Sequence, residues 1–414
     1  MKKRLFALLL TLCMALTLVP AAAAAKPLLI APNPNAAPAW LVPQVKEPTE
    51  FPDVTGTWCE SYVDTVYRSG LMSGKTAEKF DATSPLTHAQ ITVICARLYE
   101  LLTGGDGIIE AVPDTPWYQP SYDLLVEAGI LYTDYQGPRW SAKKANAPCE
   151  REFFVGLLGS VLETAEVTLP EINEITRIPD ISPNFKEDVF YDFDPYIYDF
   201  YRYGILNGAD PYGGFHENAS LTRGAAAAML ARLMDPAQRL EFELPSFDIC
   251  TDLLGVEHEA VLLIVDGTEI TAEQIAYDLA YWLSDTYATP EHLLENAING
   301  ITKVVAEYRL GEELGLSMNE ETRAWAETYA RKEAGYMGAT YENWLWRESR
   351  HVYYSGIHDL YLYQKYHDKN ILEGIDQEIA AKQATLSVER TELLNSLDLN
   401  AIHIKCKNSP FGLL

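Results

Sequence analysis

The chain has 414 residues, and its 32 lysines and arginines against 59 aspartates and glutamates leave a formal charge of −27. So acidic a chain repels phosphate backbones and anionic lipid surfaces, which excludes a general nucleic-acid binder and a protein of anionic membrane surfaces. Hydrophobic residues make up 48% of the sequence. This is enough to bury real cores, so global disorder is excluded as well.

The first 25 residues have the pattern of a secretory signal peptide. A basic start at residues 2–4 precedes an apolar stretch at 5–19, and the small residues 21–25 offer an A-x-A cleavage site. The apolar stretch is short for a membrane span, and no later segment reaches 18 uninterrupted apolar residues. We therefore expect an exported chain with no stable membrane insertion after cleavage.

Five cysteines remain after such a cleavage, and they are Cys59, Cys95, Cys149, Cys250 and Cys406. The number is odd and small for the length, and no Cys-x-x-Cys spacing occurs. A Cys59–Cys95 disulfide is one alternative and scattered buried thiols are the other. The low count favours buried thiols.

Composition divides the mature sequence into segments. Residues 26–50 are rich in proline and alanine and predict an extended linker. Residues 51–240 contain an internal repeat, and 241–260 predict a second linker. Residues 261–396 predict a helical domain, and residues 397–414 close the sequence.

Three copies of one pattern occupy residues 51–110 (copy one), 111–176 (copy two) and 177–240 (copy three). Each copy has a Pro-Asp dipeptide, a glycine after a predicted helix, an aromatic residue, and then the start of an apolar helix. The dipeptides are Pro52-Asp53, Pro113-Asp114 and Pro179-Asp180, the glycines are Gly70, Gly129 and Gly204, and the aromatic residues are Phe80, Trp140 and Phe215. A period this long marks supersecondary units that bury their faces against one another.

Local signals predict where the helices of each copy begin and end. The glycine after the first helix predicts its C-terminus, and Gly74 and Gly208 give the following loops backbone freedom. Thr87 and Thr222 predict N-caps of the second helices. The corresponding segments are Leu86-Thr87-His88-Ala89-Gln90, Pro148-Cys149-Glu150-Arg151-Glu152 and Leu221-Thr222-Arg223-Gly224-Ala225.

These motifs resemble the S-layer homology (SLH) domain, which usually occurs as three tandem copies. The resemblance covers residues 51–240. It rests on Phe51-Pro52-Asp53-Val54, Trp58, Gly70-Leu71-Met72-Ser73-Gly74, Phe80 and the helix starts, and on Gly204-Ile205-Leu206-Asn207-Gly208 and Phe215 in copy three. It implies a pseudo-threefold helical prism whose grooves between copies bind a secondary cell-wall polymer.

The resemblance also implies a ligand chemistry. Family members are expected to hold an acidic, pyruvate-bearing sugar with the arginine of a Thr-Arg-Ala-Glu motif, near a helix N-terminus that itself favours an anion. Arg223 keeps this arginine, whereas His88 and Glu150 are taken as its equivalents in copies one and two. A mostly neutral histidine weakens a groove and a glutamate repels an anion. The candidate wall-polymer residues are Arg223, Thr222, Gly208, Thr87, His88 and Gly74, and a purely structural repeat set is the alternative.

The region after residue 260 opens with a predicted strand, Val261–Val265, an Asp266-Gly267 turn, and a capping box of Thr271 and Gln274. Its segment 265–271, and residues 306–321 with a helix end at Gly315, make it similar to the N-terminal chaperone domain of exported parvulin-type peptidyl-prolyl isomerases, the PrsA and SurA kind. This resemblance implies binding of unfolded exported proteins. An unrelated helical domain is the alternative.

Residues 401–405 predict a strand that, in the same family, opens the parvulin catalytic domain. Too little sequence follows before Leu414 to close such a domain, so residues 397–414 are interpreted as a stub and no isomerase activity is expected. No G-x-S-x-G, Walker A or H-E-x-x-H motif occurs. We therefore assign no catalytic residue and no cofactor.

No metal site is expected either. His351 and His358 are seven residues apart rather than four, and aspartates 188, 192, 194 and 199 do not match an EF-hand loop. Aromatic residues crowd the stretch 341–366 and predict core packing, with a surface for unfolded segments as the alternative. They are Tyr341, Trp344, Trp346, Tyr353, Tyr354, Tyr361, Tyr363 and Tyr366.

The sequence thus predicts a mainly α protein, with three helical repeats in a pseudo-threefold arrangement and a C-terminal helical domain with a small β element. The predicted function is that of a secreted surface protein, held non-covalently on a secondary cell-wall polysaccharide, whose helical domain holds exported clients. One alternative is a peptidyl-prolyl isomerase whose catalytic part is supplied separately. The other is a structural component of a surface layer.

Overall fold

The computed structural model describes residues 45–131, 144–183, 194–285, 288–364 and 371–410. The architecture is mainly α with one small sheet, as predicted. The expected signal peptide, most of the 26–50 linker and the repeat marker Trp140 lie outside the described residues. Aspartates 188 and 192 and the side chains of Tyr361, Tyr363 and Tyr366 lie outside them too.

The first half is built from helices that pair across copies. They are α1 (Glu60–Arg68), α2 (His88–Leu102), α3 (Gln119–Glu127), α4 (Arg151–Thr164), α5 (Asp194–Arg202) and α6 (Arg223–Met234). Helix α2 packs on α3, α4 packs on α5, and α6 returns to pack on α1. Each second helix therefore packs against the first helix of the next copy, and the pairing closes on itself.

Local sequence explains the helix ends. The Thr87 hydroxyl accepts a hydrogen bond from the Gln90 N–H at 3.3 Å, and the Gln90 side-chain oxygen accepts one from the Thr87 N–H at 2.9 Å. The Thr222 hydroxyl accepts from the Ala225 N–H at 3.2 Å. Gly70, Gly129 and Gly204 have φ values of 79°, 75° and 71° just after α1, α3 and α5. Both predicted N-caps and the glycine ends are thus confirmed.

The three second helices begin around a closed ring of backbone hydrogen bonds, which we call the central ring. The Leu86 N–H donates to the Leu221 carbonyl at 2.9 Å, Leu221 donates to Cys149 at 2.8 Å, and Cys149 donates to Leu86 at 2.8 Å. All three residues are fully buried. The ring satisfies backbone groups that water cannot reach, and it relates the three copies by a pseudo-threefold axis.

One hydrophobic core fills the first half, with residues from every copy. Its largest fully buried side chains include Phe80, Phe154, Phe200 and Phe215. Burying one such side chain contributes roughly 1.5–3 kcal/mol. The helix pairs thus share one core and are not independent units.

The second half has its own core and a three-stranded antiparallel sheet with strand order β2-β1-β3. The strands are β1 (Val261–Val265), β2 (Thr268–Thr271) and β3 (Val388–Arg390), and the longer helices are α7 (Ala272–Leu283), α8 (Pro290–Glu313), α9 (Glu320–Glu333), α10 (Tyr341–Gln364) and α11 (Ile371–Gln383). Two short helices follow β3, α12 (Glu392–Ser396) and α13 (Leu399–Lys407). The capping box of Thr271 and Gln274 at the start of α7 is confirmed.

The expected linker at 241–260 contains a stretch of regular structure. Residues Ile249–Leu254 form a short π-helix whose Ile249, Cys250, Leu253 and Leu254 are buried in the second core. The Asp248 side chain caps this helix by accepting from the Cys250 and Thr251 N–H groups. This part of the segment therefore belongs to the helical domain.

The prediction of a strand at 401–405 is wrong, because these residues lie in α13. Asp398 caps this helix by accepting from the Ala401 N–H at 3.0 Å. Ile402 and Cys406, four residues apart, point into the second core. The strand that β1 does take as a second neighbour is β3, inside a stretch expected to be helical. The segment after residue 396 thus packs against the second core through a helix.

Hydrogen bonds from both backbone and side chains tie the two halves together. The Arg177 Nε donates to the Ala334 carbonyl at 2.8 Å, and the Met337 N–H donates to the Pro179 carbonyl at 2.7 Å. The Ser182 hydroxyl donates to the Glu333 carboxylate at 3.0 Å. The start of copy three is therefore held against the segment that joins α9 to α10.

The five cysteines among the described residues are all buried free thiols. Of the two alternatives, the Cys59–Cys95 disulfide is thus absent and buried thiols are present. Among the described residues, no helix has the combination of length and hydropathy that a membrane span requires.

Helix α13 can be distinguished from the predicted strand by two isoleucines. Ile402 is 4% exposed and Ile404 is 61% exposed. We expect Ile402→Ala to lower the free energy of unfolding by about 2–4 kcal/mol, and Ile404→Ala to change it by less than about 0.5 kcal/mol. Urea unfolding followed by tryptophan fluorescence measures both. Equal losses would contradict the helix, because in a strand the two side chains share a face.

Candidate functional site

Three junctions between copies surround the central ring. In each, the first residue of a second helix meets a loop of the next copy. Arg223 begins α6, Arg151 begins α4, and His88 begins α2. These residues are structurally equivalent, because the ring residues Leu221, Cys149 and Leu86 lie two positions before them.

At the first junction, Arg223 of copy three reaches into copy one. Its Nε donates to the Phe80 carbonyl at 2.8 Å, and its Nη2 donates to the Ser73 carbonyl at 2.6 Å. The guanidinium lies over the Phe80 ring, 4.6 Å from the centroid. Burial lowers the pKa of Arg223. The structure thus brings Arg223 and Thr222 to the loop that holds Gly74, next to Ser73.

At the second junction, Arg151 of copy two makes two of these three contacts with copy three. Its Nε donates to the Phe215 carbonyl at 2.8 Å, and its guanidinium lies 4.9 Å from the centroid of the Phe215 ring. Burial lowers the pKa of this arginine too. Gly208 lies in the loop that leads to Phe215, where a β-carbon would come within 2.4 Å of Gly213 Cα.

The assignment of Glu150 as the equivalent of Arg223 is therefore wrong by one residue. Glu150 holds the N-cap position that Thr87 and Thr222 hold in the other copies, and its side chain makes no capping bond. Because Cys149 is the ring residue, the sequence aligns correctly only when this cysteine is matched to the leucines. Two junctions thus carry an arginine, and neither is blocked by a glutamate in its place.

At the third junction, His88 of copy one meets copy two. Its Nδ1 lies 3.3 Å from the Ala147 carbonyl, and its Nε2 lies 3.2 Å from a Glu150 carboxylate oxygen. The imidazole also packs 4.9 Å from the Phe153 ring. Thr87, the cap beside it, bonds within α2 and holds the helix start.

The Pro-Asp dipeptides hold the loops that face the arginines. Asp53 accepts from the Phe80 and Asp81 N–H groups at 2.9 and 2.7 Å. Asp180 accepts from the Phe215 and His216 N–H groups at 2.7 and 2.6 Å. Asp81 and His216 have φ values of 64° and 57°, a strained backbone for residues with a β-carbon. The two charge-assisted bonds offset this strain and fix the carbonyls that the arginines need.

The surface beside Arg223 combines cationic groups with an exposed aromatic plane. Lys75 and Lys79 lie 2.6 and 2.9 Å from the Asp81 carboxylate, and their hydrogen bonds lower the pKa of Asp81. Trp58 is 65% exposed, and its ring lies against Gly224, where a β-carbon would come within 3.4 Å. A sugar ring can stack on such a tryptophan while an acidic group faces the cations. The sequence marked Trp58 as a repeat signal and missed it as a site residue.

The helical domain has a second concave surface along α10. One cavity of about 430 Å³ is bordered by Trp325 and Leu316, and a second of about 490 Å³ is bordered by Trp346 and Tyr308. Tyr353 borders both, so the two cavities are adjacent, and we call them together the groove along α10. Its aromatic residues are half-buried or exposed, and Trp346 also packs against the second core. The aromatic stretch of the sequence thus contributes both to the core and to a groove.

The corrected alignment predicts that substitutions at Arg151 and at its neighbour Glu150 affect stability differently. We expect Arg151→Ala to lower the free energy of unfolding of the repeat half by about 1.5–3 kcal/mol, because the Phe215 carbonyl loses a charged donor. Glu150→Ala, at a side chain that is 41% exposed, should cost less than about 1 kcal/mol. Thermal unfolding by circular dichroism compares them. A larger loss for Glu150→Ala would restore the original alignment.

Comparison with known proteins finds a similarity for part of the chain. Residues 50–92 match the S-layer homology domain. A search of curated proteins finds no match. S-layer homology domains bind cell-wall polymers, so the match supports a cell-surface protein anchored to the cell wall through a polysaccharide.

Proposed function

We propose that all three copies are SLH repeats and that together they anchor the protein to a secondary cell-wall polymer. The observation that carries this proposal is the central ring. It places Leu86, Cys149 and Leu221 in equivalent positions and so gives copies two and three the geometry of the copy that contains the matched segment. Arg151 and Arg223 then occupy equivalent junctions with equivalent bonds.

The ligand of these junctions is an acidic sugar of the wall polymer, with a ketal-linked pyruvate as the acidic group. The Nε and Nη2 of Arg223 each donate a hydrogen bond to a backbone carbonyl. Among the described residues, none accepts a hydrogen bond from its Nη1. That nitrogen, with Lys75 and Lys79, provides donors for a carboxylate. Gly74 and Thr222 shape the groove, and Trp58 provides the stacking face.

Trp58 offers a cleaner test of this site than Arg223, whose bonds also hold the fold. We expect Trp58→Ala to reduce co-sedimentation with purified wall sacculi by at least about tenfold, since stacking on one aromatic ring is worth about 0.5–1.5 kcal/mol beyond the area it buries. The matched control is Trp325→Ala, which removes a tryptophan that is 41% exposed in the other half and should sediment like wild type.

Sacculi stripped of their acid-labile pyruvate groups separate the ligand from the wall as a whole. Wild-type protein should sediment with intact sacculi and stay in solution with stripped ones. Sedimentation that survives both Trp58→Ala and the stripping would refute this groove as the anchor.

We propose further that the helical half binds apolar segments of exported, unfolded proteins in the groove along α10. The supporting observation is the pair of cavities that share Tyr353, with Trp325 and Trp346 at either side. An apolar groove of this size on a folded domain suits an extended chain with large side chains.

A client-aggregation assay tests this second activity with the same two variants. The wild-type protein at stoichiometric amounts should slow the aggregation of a chemically denatured client measured by light scattering. Trp325→Ala should lose most of this effect, and Trp58→Ala should keep it. If both variants protect as well as wild type, the groove along α10 is not the client site.

A further inference from the structure

Three residues at the junction of copies one and two depart from the pattern of the other copies. The arginine of α4 and α6 is replaced by a histidine in α2. The ring leucine becomes a cysteine in copy two, and the capping threonine beside it becomes a glutamate. The three substituted residues are His88, Cys149 and Glu150, and their counterparts are Arg151 and Arg223, Leu86 and Leu221, and Thr87 and Thr222.

The three substituted residues lie close together. One ligand atom from each of His88, Cys149 and Glu150 lies within 4.8 Å of those of the other two. His88 and Cys149 are buried, whereas the Glu150 side chain is 41% exposed and gives access from solvent. An imidazole nitrogen, a sulfur and a carboxylate are the ligands that zinc prefers in proteins.

Both ring nitrogens of His88 face an oxygen atom. The Nδ1 lies 3.3 Å from the Ala147 carbonyl, and the Nε2 lies 3.2 Å from a Glu150 carboxylate oxygen. In the tautomer whose Nδ1 donates to that carbonyl, the Nε2 lone pair and the carboxylate point to one place, where a cation can bind both. A backbone carbonyl on the other ring nitrogen is also the arrangement that orients metal-binding histidines.

We propose that His88 Nε2, Cys149 Sγ and a Glu150 carboxylate oxygen bind a zinc-type divalent ion between copies one and two. In a tetrahedral zinc site, nitrogen and oxygen ligands lie about 3.3 Å apart, and nitrogen and sulfur lie about 3.6 Å apart. The measured nitrogen–oxygen distance of 3.2 Å already fits. Water completes the fourth position.

Binding requires the Cys149 thiol to lose its proton to solvent as the sulfur–metal bond forms. Burial raises the pKa of this thiol, with the Glu150 charge as a smaller contribution in the same direction. The thiolate and the carboxylate together neutralise a divalent ion. The site is therefore a crosslink between two copies, at the junction where no arginine crosses.

Cobalt(II) is the probe, because a tetrahedral site with a thiolate ligand gives a sulfur-to-cobalt charge-transfer absorption and intense visible bands. The full protein, freed of metal by a chelator, is titrated with Co²⁺ and then with Zn²⁺. We expect the bands to saturate at one equivalent of cobalt and to disappear on addition of zinc.

The variants His88→Arg and Cys149→Leu install the residues of the other copies, so the ring should tolerate them. Both should lose the thiolate absorption while their circular dichroism stays that of wild type. Glu150→Thr should weaken cobalt binding by at least about tenfold.

The control is Cys250→Ser, since Cys250 lies with Asp248 and His258 in a second group of ligand-type residues. It should keep the absorption. Wild-type protein without a thiolate band, or a band lost in Cys250→Ser and kept in Cys149→Leu, would overturn the proposal. If either His88→Arg or Cys149→Leu fails to fold, the other variant decides alone.

Discussion

The repeat half depends on three backbone hydrogen bonds that close at its centre. Because each of Leu86, Cys149 and Leu221 donates to one partner and accepts from another, no copy can complete the central ring alone. The same closure forces each second helix to begin beside a loop of the next copy. Each groove at a junction of the repeat half is therefore shared by two copies, and it exists only once the chain has folded around the ring.

The arginines stabilise this closed arrangement through hydrogen bonds to the next copy. Arg223 and Arg151 bond to carbonyls of loops that Asp53 and Asp180 hold in a strained conformation. Charged donors of this kind contribute about 1.5–3 kcal/mol each. A side chain so committed is prealigned, so a carboxylate that binds its remaining donors pays little to order it. If the proposed function is correct, stability and anion recognition are coupled in the same residue.

The ring also allows side chains at equivalent positions to differ between copies while the backbone arrangement stays the same. Three equivalent positions hold Arg, Arg and His, and the neighbours of the histidine change with it. The first half is held to the second through bonds from Arg177 to Ala334 and from Met337 to Pro179. A client groove in the second half would therefore be carried at a fixed orientation to the anchor.

Sequence alone determined what depends on neighbours within one helical turn. The caps at Thr87, Thr222 and Thr271, the glycine ends of the first helices and the mainly α class could all be predicted, because each rests on contacts between residues three or four apart. The tertiary structure decided the rest. Whether Glu150 or Arg151 matches Arg223 depends on which residue joins the ring, through bonds between residues more than 60 positions apart. Likewise, Ile402 and Ile404 suit a strand, and only the second core, which buries Ile402 and Cys406 but leaves Ile404 in solvent, selects the helix.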